Sequence, residues 1–163
     1  MSFENILPAD MEIFPVCTSI AIRAWQKGYD EYREILGSGL FENIFPDWEI
    51  AKAGAMEPYF KGNSEKHAYI ILFEGKIAGF ITCDIDFQRK VGTICNNAVD
   101  PDYQGKGLGS VMYDFILGVF RMEGMTAAVV ATMDEDAYLP ARKAYEKAGF
   151  NKKLKRLTYF MKL

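Results

Sequence analysis

No stretch of this 163-residue chain free of Asp, Glu, Lys and Arg exceeds ten residues, about half of what a bilayer-spanning helix requires. Glu4, Asp10 and Glu12 stand where a secretory signal would begin with basic residues. A soluble, cytoplasmic protein with no membrane partner is therefore expected. Cysteine is scarce. Cys17, Cys83 and Cys95 are far apart and form no C-x-x-C, so neither a disulfide framework nor a zinc site is expected, and no metal. The one histidine, His67, stands beside Lys66 at the start of an apolar run, without the partner motif of a nucleophilic triad. With 14 Gly and 6 Pro the chain is neither collagen-like nor of low complexity, and 50% hydrophobic residues exclude disorder. That content suffices for the core of one compact domain spanning 1–163.

What charge there is lies unevenly. Residues 142–163 hold eight Lys/Arg and one acid, whereas residues 1–141 hold 11 basic and 21 acidic residues. The basic segment carries helix and strand signals instead of an arm-like run. It reads as a solvated basic face, not as a nucleic-acid arm.

Hydrophobic periodicity divides the chain. Ile13, Val16, Cys17, Ile20, Ala21, Ala24 and Trp25 repeat at helical spacing, with Pro15 tolerable only in the first turn. A second helix is expected over 30–36, ending at Gly37. A third is expected after an Asp47 N-cap, with Trp48, Ala51, Ala55 and Tyr59 inward. Strands follow at 68–73, 77–85 and 91–99, the first two joined by a Glu74-Gly75 turn. After Pro101 the stripe Leu108, Val111, Met112, Phe115, Ile116, Val119 and Phe120 predicts a helix, ended by Gly124. Residues 126–132 read as a buried strand. Pro140 opens a helix with Ala141, Ala144, Tyr145 and Ala148 on one face, closed by Gly149. The alternation of Leu157, Tyr159, Met161 and Leu163 predicts one or two strands over 150–163. The order of elements gives an α/β class, a mixed sheet covered by helices.

The segment richest in chemistry is Asn97-Ala98-Val99-Asp100-Pro101-Asp102-Tyr103-Gln104-Gly105-Lys106-Gly107-Leu108-Gly109-Ser110. It leaves a strand and enters an amphipathic helix through three alternating glycines. Unpaired amides at a helix N-terminus attract an anion, and glycines allow a phosphate to approach the backbone closely. A turn that only joins strand to helix is the plainer alternative. The pattern G-x-x-x-x-G-K-[ST] fails because Asp100 stands five residues before Gly105, and G-x-G-x-x-G fails at Ser110.

What fits is Gln104-x-x-Gly107-x-Gly109, which resembles the Q/R-x-x-G-x-G/A pyrophosphate loop of the GNAT superfamily of N-acetyltransferases. Ala141-Arg142-Lys143-Ala144-Tyr145-Glu146-Lys147-Ala148-Gly149-Phe150 resembles the family's later helix, A-x-x-x-Y-E-K-x-G-F. The resemblance covers residues 68–163 as an acetyl-CoA-binding core and leaves 1–67 as a helical acceptor-side region. It implies a mostly antiparallel central sheet of about six to seven strands flanked by helices. It also implies an acetyl-CoA co-substrate, an amine-bearing small molecule or peptide as acceptor, direct attack on the thioester, and leaves a homodimer open. A CoA-binding sensor or interaction module without catalysis is the alternative.

Carried over by position, Asn97, Ala98 and Val99 would pair with the pantetheine arm and supply an oxyanion donor. Amides of Gly105, Lys106, Gly107, Leu108, Gly109 and Ser110 would hold the pyrophosphate, with Gln104 shaping the loop. Lys106 would either assist with phosphate charge or stay solvated. Tyr145 takes the place of the general acid, or is a core tyrosine beside Ala141 and Ala148. Two positions depart from the family. Tyr138 stands where many members carry Asn, and the strand Ala128-Val129-Val130-Ala131-Thr132 lacks a Glu base. A base would have to be Asp84, Asp86, Asp134 or Glu135. Residues 1–60 hold ten acids and four bases around Trp25, Tyr29, Tyr32, Trp48 and Tyr59. Those aromatics either line an acidic cleft for an amine or form core.

Overall fold

The computed structural model describes residues 5–163; residues 1–4, the start of the expected helical region, lie outside them. Strand β1 (Ile6–Pro8), which has no sequence signal of its own, pairs antiparallel with β2 (Lys66–Phe73). Helix α1 runs over Phe14–Leu36, so the separate helix expected at 30–36 is the last part of this one. Pro15 sits in its first turn, where no intrahelical N–H is missed. Gly37, at φ 74°, ends α1 and begins α2 (Ser38–Ile44), a short helix that the periodicity does not reveal. Helix α3 covers Trp48–Lys61. Asp47 holds the N-cap place, but its side chain makes no capping bond. The face buried is Trp48, Met56 and Phe60, with Ala51 and Ala55 exposed.

The sheet order is β1-β2-β3-β4-β5, with β2 at Lys66–Phe73, β3 at Lys76–Asp86, β4 at Val91–Val99 and β5 at Ala127–Val130. The first four strands are antiparallel; β5 runs parallel to β4. Glu74 and Gly75 both take positive φ, the backbone that a two-residue hairpin turn needs. Between β4 and β5 comes α4 (Leu108–Met122), and α5 (Leu139–Lys147) follows β5. Helices α4 and α5 cover one face with Ile71, Ile81, Ile94, Met112, Ile116 and Tyr145 in one core. Helices α1 and α3 cover the other with Ile20, Met56, Phe60, Ile70, Phe80 and Ala98. A Cβ on Gly92 would overlap the Phe120 ring, so glycine there lets α4 lie close on β4.

Two strand expectations fail. The sheet has five strands among the described residues, not six to seven, and β5 is a four-residue edge whose side chains alternate exposed and half-buried. Residues 151–163 form no strand and are exposed throughout. Alternation supplies a face but not a partner. Lys153 pairs with Glu146 on α5, Lys155 with Asp134, and the Phe160 ring lies 6.4 Å from that of Phe45.

Candidate functional site

Strand β4 changes face in mid-course. Ile94 and Ala98 are four residues apart, yet Ile94 packs under α4 and Ala98 under α1. The register explains it: Ile81 faces Asn97 and Cys83 faces Ile94, so Cys95 and Asn96 together oppose Thr82 alone. This is a β-bulge. The Thr82 hydroxyl, wholly buried, accepts from Asn96 N at 2.8 Å and donates to Asn96 O at 3.2 Å, standing in for the missing strand partner. Thr82→Val keeps the shape but orphans a buried N–H. It is expected to cost about 1–3 kcal/mol in urea unfolding with an unchanged m-value, and Thr82→Ser much less.

Beyond the bulge the sheet opens. Pairing of β4 with β5 ends at Ile94 and Val130, whereas β3 still holds Asn97, Ala98 and Val99. The other edge of those three residues therefore has no strand beside it among the described residues. Asn97 turns its side chain toward the α4–α5 face. Its Nδ2 donates to the Tyr145 hydroxyl at 3.1 Å, and its Oδ1 accepts from Tyr113 at 2.7 Å. Tyr145 is the one buried residue of α5, 7% exposed, and its ring lies 5.0 Å from that of Tyr113. Burial pushes its phenol up; the Asn97 amide and the neighbouring Tyr113 hydroxyl work against that.

The open edge leads straight into the glycine loop. Asp100 caps the turn by accepting from Asp102 N, and Arg23 of α1 bridges Asp100 and Asp102 at 2.9 Å each. Gln104 Nε2 donates to Val99 O at 3.1 Å, folding the loop back on the strand end. Gly105 and Gly107 take φ 76° and 80°, a conformation that costs other residues about 1–2 kcal/mol. A Cβ on either would meet nothing within 4 Å, so the loop stands open on that side. Gly107 is the N-cap of α4, and the first intrahelical bond is Val111 N to Gly107 O at 3.3 Å. The amides of Leu108, Gly109 and Ser110 thus precede the helix's own ladder and carry its positive end. These features fit a pyrophosphate. The Lys106 ammonium lies over the rings of Phe73, 4.6 Å away, and Tyr103, 5.5 Å away.

The four candidate carboxylates separate. Asp84 accepts from Lys66 at 2.6 Å, Tyr59 at 3.0 Å and Cys95 at 3.3 Å. Burial raises its pKa, but those three bonds outweigh it and hold it below the usual carboxylate value. A depressed folded pKa gives stability in full above about pH 4 that fades as the pH falls through the folded value. The Tm gap between the wild type and Asp84→Asn is thus expected to be widest near neutrality and to close in acid. Asp86 is engaged by Arg89 and Asp134 by Lys155. Glu135 differs, since its Oε2 is inaccessible and has no hydrogen-bond partner among the described residues. It lies in the loop before α5, where its charge acts on Tyr32 and Tyr138.

The aromatics are largely core. Trp48 and Tyr29 are buried and stacked at 3.8 Å, and Trp25 packs edge-on to Phe80. A cavity of about 290 Å³ remains beside them, with Phe45, Trp48 and Lys52 in its walls. Tyr138 stacks on Tyr32. Burial lifts the Cys17 and Cys83 thiols to about 12, which makes them inert at neutral pH. Among the described residues no group of three or more His, Cys, Asp and Glu is placed to hold a metal ion, and no helix is long and apolar enough to cross a membrane. Sequence reasoning did not single out Thr82, Tyr113 or Arg23, because each acts through a partner distant in sequence. Only the fold brings them together.

The model of the Acetyltransferase (GNAT) family matches residues 23–150. The [ribosomal protein bS18]-alanine N-acetyltransferase of Escherichia coli K12 is 30% identical over 86 residues, which is 53% of this chain and 55% of that protein. The chain thus spans about half the length of the curated relatives it matches. The crystal structure of the ribosomal-protein-S18-alanine N-acetyltransferase from Escherichia coli superposes with a TM-score of 0.64 at 21% identity, covering 91% of this chain and 78% of that one. AAC(6')-Iy in complex with a bisubstrate analog, CoA-S-monomethyl-acetylneamine, gives 0.58 at 14% identity, covering 97% of each. At these identities the likeness speaks for the fold.

Proposed function

The chain belongs to the GNAT acetyltransferase family, and from that premise we propose that it transfers the acetyl group of acetyl-CoA to an amine by direct attack on the thioester. The observation that carries this reading is one continuous run of backbone. The open edge of Asn97, Ala98 and Val99 leads into the amides of Gly105 to Ser110 at the start of α4, with the Tyr145 hydroxyl 3.1 Å from the Asn97 side chain.

Acetyl-CoA supplies an activated thioester and an anionic pyrophosphate. In this reading the amides of Gly105, Lys106, Gly107, Leu108, Gly109 and Ser110 hold the pyrophosphate, and Gln104 keeps the loop closed. The main chain of Asn97, Ala98 and Val99 aligns the pantetheine arm, and an N–H there polarises the carbonyl, worth a few kcal/mol. Tyr145 donates its proton to the departing sulfur. A phenol of ordinary pKa about 10 reprotonates a thiolate of about 8.5 for roughly 2 kcal/mol, and the raised phenol of Tyr145 does so at a higher cost.

The acceptor must arrive as a free amine, and an amine of pKa about 10.4 is neutral only about one part in 10³ at pH 7. Glu135 is the carboxylate we assign to receive its proton, because Asp84, Asp86 and Asp134 already hold cationic partners. An orphaned buried carboxylate oxygen is costly, and uptake of a proton by the carboxylate relieves it. The acceptor class is a small-molecule amine or a peptide amine. The alanine of a ribosomal protein for which the Escherichia coli relative is named and the acetylneamine portion of the analog bound to AAC(6')-Iy both support it. A panel of alanine-initiated peptides and aminoglycosides, assayed for thiol release from acetyl-CoA, tests the reading. Binding of CoA without turnover on any amine would favour a sensor or interaction module instead.

A further inference from the structure

The hydrogen-bond chain beneath the open β4 edge has a direction. Tyr113, on α4 and 4% exposed, donates to Asn97 Oδ1 at 2.7 Å. A buried phenol that keeps its proton needs an acceptor, and this bond provides it. With Oδ1 turned toward Tyr113, the Asn97 NH₂ faces Tyr145 and donates to its oxygen at 3.1 Å. The reverse bond, from the Tyr145 hydroxyl to the same Oδ1, spans 3.5 Å and is the longer and weaker of the two contacts. Tyr145 therefore accepts from Asn97, and its own proton points elsewhere.

We propose that Tyr113 is a positioning residue for proton donation by Tyr145. By fixing the Asn97 carboxamide with its NH₂ toward Tyr145, it frees the Tyr145 proton for the departing sulfur and supports the phenolate left behind. This rests on the acetyl-transfer reading above. In that step the amine nitrogen bonds to the carbonyl carbon, the C–S bond breaks and its electron pair goes to sulfur. The Tyr145 proton then moves to sulfur and gives a thiol. The attacking nitrogen releases one proton through Glu135 or solvent, and the phenolate regains one from the same pool, so nothing is oxidised or reduced. Burial pushes the phenols of Tyr113 and Tyr145 up, and on Tyr145 the Asn97 amide and the neighbouring Tyr113 hydroxyl oppose it.

Two measurements on the full chain decide it. In ultraviolet tyrosinate titrations of the protein without substrate, the Tyr145 transition is isolated by difference against Tyr145→Phe. Tyr113→Phe lets the Asn97 amide turn over, so that transition is expected to move up by about one to two pH units, the worth of one hydrogen bond to a charged oxygen. An unmoved or lowered transition overturns the proposal. In single-turnover thiol release from acetyl-CoA with the panel amine of highest rate, Tyr113→Phe is expected to lower the rate roughly 10- to 100-fold, within what a general acid contributes. KM for acetyl-CoA should hardly change. The loss should vanish in the Tyr145→Phe background, where Tyr113 has nothing left to position. An equal loss in both backgrounds overturns the positioning role alone. A wild-type rate in Tyr145→Phe itself sinks the acid assignment and this proposal with it.

Discussion

Tyr145→Phe is expected to lower kcat roughly 10²–10⁴-fold with little change in CoA affinity. The substitution removes one hydroxyl and keeps the ring, so packing against Tyr113, Phe150 and the α4 face survives. The structure also says what the variant leaves behind: an Asn97 NH₂ whose acceptor is gone. That loss adds about 1–3 kcal/mol of instability and shows as a lower Tm, which separates it from the kinetic effect. Rates must be taken where chemistry limits, since slow product release would hide a damaged proton transfer. A variant at near wild-type single-turnover rate would make Tyr145 a core residue only.

The second large effect is expected at the glycine loop. Gly107→Trp and Gly109→Trp should each weaken CoA binding roughly 10²-fold or more, because a bulky side chain keeps phosphate from amides whose charge-assisted bonds contribute about 1.5–3 kcal/mol each. The two variants are not equivalent. Gly107 sits at φ 80°, so any side chain there strains the backbone as well. Gly109 lies inside the first turn of α4 with ordinary helical backbone, and a Cβ would only touch Tyr113 at 3.8 Å. Gly109→Trp is therefore the cleaner variant. Calorimetry with CoA on a protein of wild-type Tm reads the result, and unchanged affinity would remove the loop from the binding site.

Much of this site was legible in the sequence because its elements are local. The bounds of β4, the glycines before α4 and the Tyr145 face of α5 follow from period, turn chemistry and spacing within a few residues. The failures share a different cause. The interval between Trp25 and Asp30 holds only Gly28 as a breaker, and a buried, closely packed glycine does not interrupt α1. The alternating residues at the C-terminus carry a strand's pattern without a strand's partner, and the segment's side chains meet Glu146, Asp134 and Phe45 instead. The bulge in β4 left no mark at all. Nothing in Thr82 or Asn96 read alone announces that one hydroxyl will serve both main-chain groups of a residue fourteen positions away. Yet that bulge turns Asn97 toward Tyr113 and Tyr145, at the point where the strand edge comes free.

The most direct test is a single turnover of the full chain with isotopically labelled acetyl-CoA and the amine panel, reading acceptor mass and free thiol together. The expected result is one labelled acetyl group on an amine nitrogen for each thiol released, strongly reduced at the same acetyl-CoA concentration in Gly109→Trp and slowed in Tyr145→Phe. Tight CoA binding with no acetylated amine, and thiol release no faster than without protein, would contradict acetyl transfer at this site.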